Sequence, residues 1–277
     1  MKPTNQLFDI IKSLTPEEEK KFILQSSLQQ GDKNYIKLYN FIQKQDSYDE
    51  DEVKNHFKNE VFVQHFASEK NQLLHHILKS LRFHRQETSA SAKIDEEIKN
   101  IQLLFNKSLY KQSRKQLSIV KKMAQDYELF YSLLEIVELE KVLIDMEAHF
   151  GDINYKTLDE LIEEENDLFN KIENYAAYEL QLAKLNALSS RLMIARSKED
   201  VKEISDIIKE TKNFSSREGF LSNKSKIIYL FINGVAHMLL YEMDEVHKAL
   251  SELIIELENK PEIISEMPYY YIVAHGY

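Results

Sequence analysis

Apolar residues recur along this chain at i, i+3, i+4 and i+7 almost from end to end, the period of helices that bury one face. In the first ninety residues Leu7, Phe8, Ile10, Ile11 and Leu14 mark a short helix. Thr15-Pro16-Glu17-Glu18 then supplies an N-cap, a proline at the first helical position and a capping-box glutamate. Phe22, Ile23, Leu24 and Leu28 form the apolar side of that second helix, and Gly31-Asp32 is expected to end it. Tyr35, Leu38, Tyr39 and Ile42 predict a third helix, closed by Asp46-Ser47. A capping box at Ser47 and Glu50 is expected to open a fourth through Val53 and Phe57. Leu73, Leu74, Ile77, Leu78 and Leu81 predict a longer helix over about Ser68 to Arg85, and the Ser/Ala/Thr-rich stretch Glu87–Lys93 reads as a linker.

Beyond the linker the breaks in the pattern become periodic. Turn-like spots fall near Ser108, Asp152, Ser197 and Met243, and a second series near Asp126, Asn170, Ser215 and Pro261; both step by 44 to 46 residues. Two helices per period is the signature of an α-solenoid. The expected pairs are Ile98–Phe105 with Tyr110–Ala124, Tyr127–Phe150 with Leu158–Lys171 behind a Thr157…Glu160 capping box, Tyr175–Ala195 with Val201–Lys212 behind Ser197 and Asp200, and Ser225–Leu240 with Glu245–Glu258. Gly234 precedes Val246 by the twelve residues that separate the small positions of a tetratricopeptide crossing. Ile101 and Ser113 hold those places in the first pair, and Leu250 and Leu253 fall where the next repeat would pack. Pro261 and Pro268 open a fifth, incomplete pair ending in Tyr269-Tyr270-Tyr271-Ile272-Val273. That end is expected to be truncated and to leave an apolar surface available for self-association. The expected fold is therefore all-α: an N-terminal helical cap over residues 1–90, then tetratricopeptide-like helix-turn-helix repeats over 91–277 in a right-handed superhelix.

Composition narrows the function. With no cysteine among 277 residues, thiolate catalysis, disulfides and Cys-ligated metals are excluded. Asp9 and Lys12 interrupt the only stretch near the start that could serve as a signal-peptide core, and the longest apolar run, Ile227–Ile232, is far short of the ~20 residues of a membrane span. A cytoplasmic protein that does not enter the membrane is the expectation. The net charge of −10 is uneven: residues 1–125 hold 21 Lys/Arg against 16 Asp/Glu, and residues 126–277 hold 15 against 30. A chain so polarised suits partners of either sign or head-to-tail packing with itself.

Three clusters invite a chemical reading. His65 and Glu69 are four apart, near His56, His75, His76 and His84, but no second pair completes a metal-ligand set; surface histidines are expected, with no metal and no cofactor. From Ile98 to Gln125 there are seven Lys/Arg and no acid. Lys107, Lys111, Arg114, Lys115 and Lys122 could present a surface to an acidic protein or to phosphates, although the overall negative charge and the lack of interleaved aromatics disfavour nucleic acid. Asp159, Glu160, Glu163, Glu164, Glu165 and Asp167 read as an acidic solvated face. The chain contains no Gly-rich phosphate loop, no Gly-x-Ser-x-Gly elbow and no His-Glu-x-x-His, so no catalytic residue is assigned and an enzyme is not expected.

The strings LFDIIKSL (Leu7–Leu14), GDKNYIKLYNFI (Gly31–Ile42), ILKSLRFH (Ile77–His84) and LLFNKSLYKQ (Leu103–Gln112) resemble a family of uncharacterised bacterial helical proteins whose later portion is tetratricopeptide-like. The resemblance covers about residues 5 to 145. It implies a helical fold and a bacterial cytoplasm, and brings no activity or cofactor. A non-catalytic scaffold that recognises another protein on a concave surface is the function expected, with nucleic-acid binding through the lysine stripe as the alternative.

Overall fold

A computed structural model describes residues 5–28, 34–148 and 155–276. The described residues form α-helices and one 3-10 turn, with no strand among them, and fall into two compact units, Met1–Thr88 and Ser89–Tyr277. The turns expected at Gly31-Asp32 and near Asp152 lie outside the described residues.

The first unit consists of α1 (Gln6–Ser13), α2 (Pro16–Leu28), α3 (Asn34–Ile42), α4 (Glu50–His56), a 3-10 turn over Val61–His65 and α5 (Phe66–Thr88). The capping box before α2 forms as expected: the Glu18 amide donates to Thr15 Oγ1 at 3.3 Å and the Thr15 amide to Glu18 Oε2 at 2.8 Å. Before α4 the cap is Asp49 rather than Ser47. Its carboxylate accepts from the amides of Asp51 and Glu52, both at 2.9 Å, and a carboxylate two residues nearer the helix outcompetes a hydroxyl there. α5 packs on α2 and α3 around Phe22, Leu38, Tyr39, Ile42, Leu73 and Ile77, all essentially without solvent contact.

The second unit runs through α6 (Ala90–Asn106), α7 (Tyr110–Asp126), α8 (Phe130–Ala148), α9 (Tyr155–Arg191), α10 (Lys198–Glu218), α11 (Asn223–Leu239), α12 (Met243–Glu258), α13 (Pro261–Glu266) and α14 (Pro268–His275). The expected linker is mostly helix: Ser89 caps α6 by accepting from the Ala92 amide, so residues 90–93 form its first turn. Helix follows helix by direct packing from α6 to α9. Beyond that, α9 meets both α10 and α11, and α12 meets α14. The first helix also touches α13, where the Ser91 amide donates to Glu266 Oε1 at 3.2 Å.

Three interhelical turns are built alike. Ser108, Glu128 and Tyr241 adopt φ of 59°, 48° and 62°. The next amides, of Leu109, Leu129 and Glu242, reach back five residues to the carbonyls of Leu104, Ala124 and His237 at 3.0, 2.9 and 2.9 Å. This is a Schellman closure made without glycine. The crossing in the first pair is close as well: buried Ser113 donates from Oγ to the Ile101 carbonyl twelve residues earlier, at 3.4 Å. In the α11–α12 pair a Cβ at Gly234 would stand 2.6 Å from Leu250 Cδ2. Leu250 thus packs within its own pair, one turn beyond Val246, and also lines a small cavity with Ala274 and His275 of α14.

The turn expected near Asn170 does not exist. α9 is a single helix of 37 residues, about 55 Å at 1.5 Å per residue, so the expected second helix of one pair and first helix of the next are fused. It also starts at Tyr155, which places Thr157 inside the helix and not at a cap. No glycine or proline interrupts 155–191, and Leu161, Leu168, Tyr175 and Leu182 continue one stripe at seven-residue spacing across Asn170. Asparagine alone costs a helix only about 0.7 kcal/mol relative to alanine, too little to break a buried stripe. α9 accordingly serves two cores, through Leu161 and Leu168 on one side of Asn170 and Tyr178, Leu182 and Leu185 on the other.

Candidate functional site: a tyrosine-lined cleft in the second unit

The start of α8, the middle of α9 and the start of α11 enclose a cavity of about 340 Å³, lined by Phe130, Tyr131, Ser132, Ile172, Tyr175 and Glu179 together with Glu128 and Lys224. Its position follows from the local sequence. The turn at Glu128 starts α8 with Phe130 buried and Tyr131 outward, and the α9 stripe brings Tyr175 edge-on to Phe130, ring centroids 6.3 Å apart. Glu128 closes the wall. Its carboxylate accepts from the Asn223 amide (3.0 Å), Asn223 Nδ2 (2.6 Å) and the Lys224 amide (2.9 Å), satisfying donors at the first turn of α11, while Lys224 Nζ donates to the Glu128 carbonyl at 3.0 Å.

The electrostatics are uneven across the cleft. Burial pushes the Lys224 ammonium below its ordinary value, opposed by the charges of Glu128 and Glu266. Burial, with the nearby Glu179 carboxylate, pushes the phenols of Tyr175 and Tyr270 up. Glu179 stands exposed at the mouth beside these phenols and has no ion pair among the described residues. The site can therefore hold an apolar or aromatic surface against Phe130, Ile172 and the tyrosines, and can offer one carboxylate to what enters. Sequence reasoning did not locate this cleft. The signal was present: Tyr131 and Tyr175 are 44 residues apart, one step of the period.

A larger groove, about 870 Å³, lies among α10, α11 and α12, where Lys212, Lys248 and His237 face Glu242, Asp244, Glu245 and Glu252. Charges of both signs intermix there, and His237 Nδ1 already meets Glu242 Oε2 at 2.6 Å. Tyr229 lines this groove and, with Phe220, also packs against the buried Tyr178 ring.

The lysine stripe is where the pattern placed it. Lys111, Arg114, Lys115 and Lys122 line the exposed side of α7 opposite buried Ser113, Leu117, Val120 and Ala124, and Lys107 is exposed in the preceding turn. Lys107, Lys111, Lys115 and Lys122 have no ion pair among the described residues. Lys121, beside them, turns inward to Glu140 (2.6 Å) and Glu164 (2.7 Å), and Lys141 reaches Glu165 (2.7 Å). The acidic run on α9 is therefore not only a solvated face: Glu164 and Glu165 are half-buried and pin α9 to α7 and α8.

The histidines of the first unit lie at the surface: His56, His65 and His75 are exposed and His76 and His84 half-buried. His76 stacks on Tyr35 at 4.4 Å and His56 on Phe41 at 4.3 Å, while His65 ends the 3-10 turn and Glu69 begins α5. Among the described residues no group of three or more His, Asp or Glu is placed to hold a metal ion, and no helix is long and apolar enough to cross a membrane. Comparison of the chain with protein-family models, with curated proteins and with solved structures finds no match.

Proposed function

We propose that the chain is a non-catalytic scaffold that binds another protein through the cleft between α8, α9 and α11, and that the second unit is a tetratricopeptide-like helical array of right-handed sense in a bacterial cytoplasmic protein. The single observation that carries the binding reading is the convergence of Tyr131, Tyr175 and Glu179 on an open cavity between α8, α9 and α11. The same Schellman turn inside the first and last pairs, at Ser108 and Tyr241, supports the repeat reading, since copies of one structural unit close alike. Fusion of two expected helices into α9 departs from a regular array. A second reading is favoured by the unpaired lysines of α7: they could meet a phosphate backbone, each contact then weakening as salt rises.

One capture experiment separates the two. The full chain, a Tyr131→Ala/Glu179→Ala variant and a Lys111→Ser/Lys115→Ser/Lys122→Ser variant are used as bait at matched helicity. A protein retained by the parent and the lysine variant but lost from the cleft variant supports the scaffold. Retention of RNA or DNA that vanishes with the lysine variant and with salt supports the alternative, and a bait set that retains the same material throughout overturns the cleft as the binding surface.

A further inference from the structure

Lys224, the cation of the wall, already has carboxylates near it, whereas Glu179 has no cation paired with it among the described residues. Lys224 is only 8% exposed, donates to the Glu128 carbonyl and lies between the carboxylates of Glu128 and Glu266. Glu179 lies beside Tyr131 and Tyr175 in the lining of the cleft, and its charge also reaches the Tyr270 phenol. An aromatic-walled cleft with one carboxylate that no cation neutralises attracts a cation twice, by charge and by the negative faces of the rings. The cavity of about 340 Å³ sits at the small end of ligand-site sizes, enough for one long side chain and too small for a helix. Residues 126–277 hold 15 Lys/Arg against 30 Asp/Glu, so the surrounding field also draws positive charge.

We propose that the cleft is a receptor for a cationic side chain, arginine or lysine, presented on an extended segment of a protein partner. The stem of that side chain lies against Ile172 and Phe130, its head reaches Glu179, and Tyr131 covers it. The inference rests on the scaffold reading above and adds the chemistry of what is bound.

The probe is the blocked tripeptide Ac-Gly-Arg-Gly-NH₂, titrated into the full chain and followed by the tyrosine ring resonances. Its citrulline counterpart, which keeps the shape and loses the charge, and Ac-Gly-Glu-Gly-NH₂ are the comparisons. The arginine peptide is expected to bind at least tenfold more tightly than either. Glu179→Gln is expected to remove that preference with helicity unchanged, and Tyr131→Leu to weaken binding severalfold while leaving the preference. Equal binding of arginine and citrulline peptides overturns the inference, as does a preference that survives Glu179→Gln. If the capture experiment yields a partner lost with Tyr131→Ala/Glu179→Ala while the peptides show no charge preference, this inference fails alone and the scaffold reading stands. Sedimentation of the chain by itself completes the test. Self-association abolished both by Glu179→Gln and by Lys111→Ser/Lys115→Ser would assign the cleft to the lysine stripe of a second copy and overturn a separate partner.

Discussion

Glu50, in the first turn of α4, shows how single residues hold the first unit. It accepts from Lys54 Nζ at 2.7 Å, pairs with Lys70 and lies 3.2 Å from the Tyr48 hydroxyl, while the Lys70 ammonium also rests 5.2 Å from the Phe66 ring centre. Burial opposes its ionisation, but hydrogen bonds from Lys54 and Lys70 and their charges outweigh burial and hold the carboxyl at about 2, below an ordinary 4.5. Because the folded value is the lower one, the stabilisation is complete above the unfolded value and is lost as pH falls through the folded one. Chemical denaturation should therefore show Glu50→Gln costing about 1–2 kcal/mol at pH 6, with the gap to the parent closing between about pH 4.5 and 2. A gap that persists unchanged at pH 2 would show that the side chain acts by packing and not by charge. None of this was readable from spacing. The carboxylate was expected to complete a box with Ser47, and it is the fold that brings Lys70 twenty residues away onto it.

Element identity was legible wherever a cap or a glycine-free apolar stripe stood alone, as at Thr15…Glu18 and Ser197…Asp200, both of which form their boxes. It failed where a period was extended onto a site lacking any breaker. The series of turns stepped onto Asn170 by arithmetic, but the local residues offered no reason to stop, and burial of Leu168 and Tyr178 on either side rewarded continuing. The ladder from Lys121 and Lys141 to Glu164 and Glu165 was hidden for another reason: like-charged runs look solvated in sequence, and only the packing of α7, α8 and α9 interleaves them. Continuity of α9 has a direct test. Asn170 is exposed, so Asn170→Pro removes no side-chain contact in the core, yet it deletes a mid-helix hydrogen bond and collides with the preceding turn. Thermal or urea unfolding should record a loss of about 3 kcal/mol or more. A loss under about 0.5 kcal/mol, as a loop position would give, would restore the expected turn.

Across the whole molecule, the described cores are separate. One cluster fills the first unit around Tyr39 and Ile77, and two fill the second, with Tyr175 packed against both. The cleft sits where those two meet, and the residue that closes it is under tension from two demands. Glu128 holds a left-handed backbone that costs a non-glycine residue roughly 1 kcal/mol, and its carboxylate caps a helix 95 residues away. The gain must exceed the strain, because removing the carboxylate would leave the first amides of α11 uncapped and Lys224 buried with fewer counter-charges. Glu128→Ala is thus expected to destabilise the second unit by about 2–4 kcal/mol, whereas Glu128→Gly should cost about 1 kcal/mol less by relieving the backbone. Hydrogen exchange on the full chain localises the effect: amides of α11 and the start of α8 should exchange faster in both variants, while those of α3 and α5 keep their protection. Equal loss of protection in α3 and α5 would mean that the two units open together, and that the separate cores do not confer separate stability.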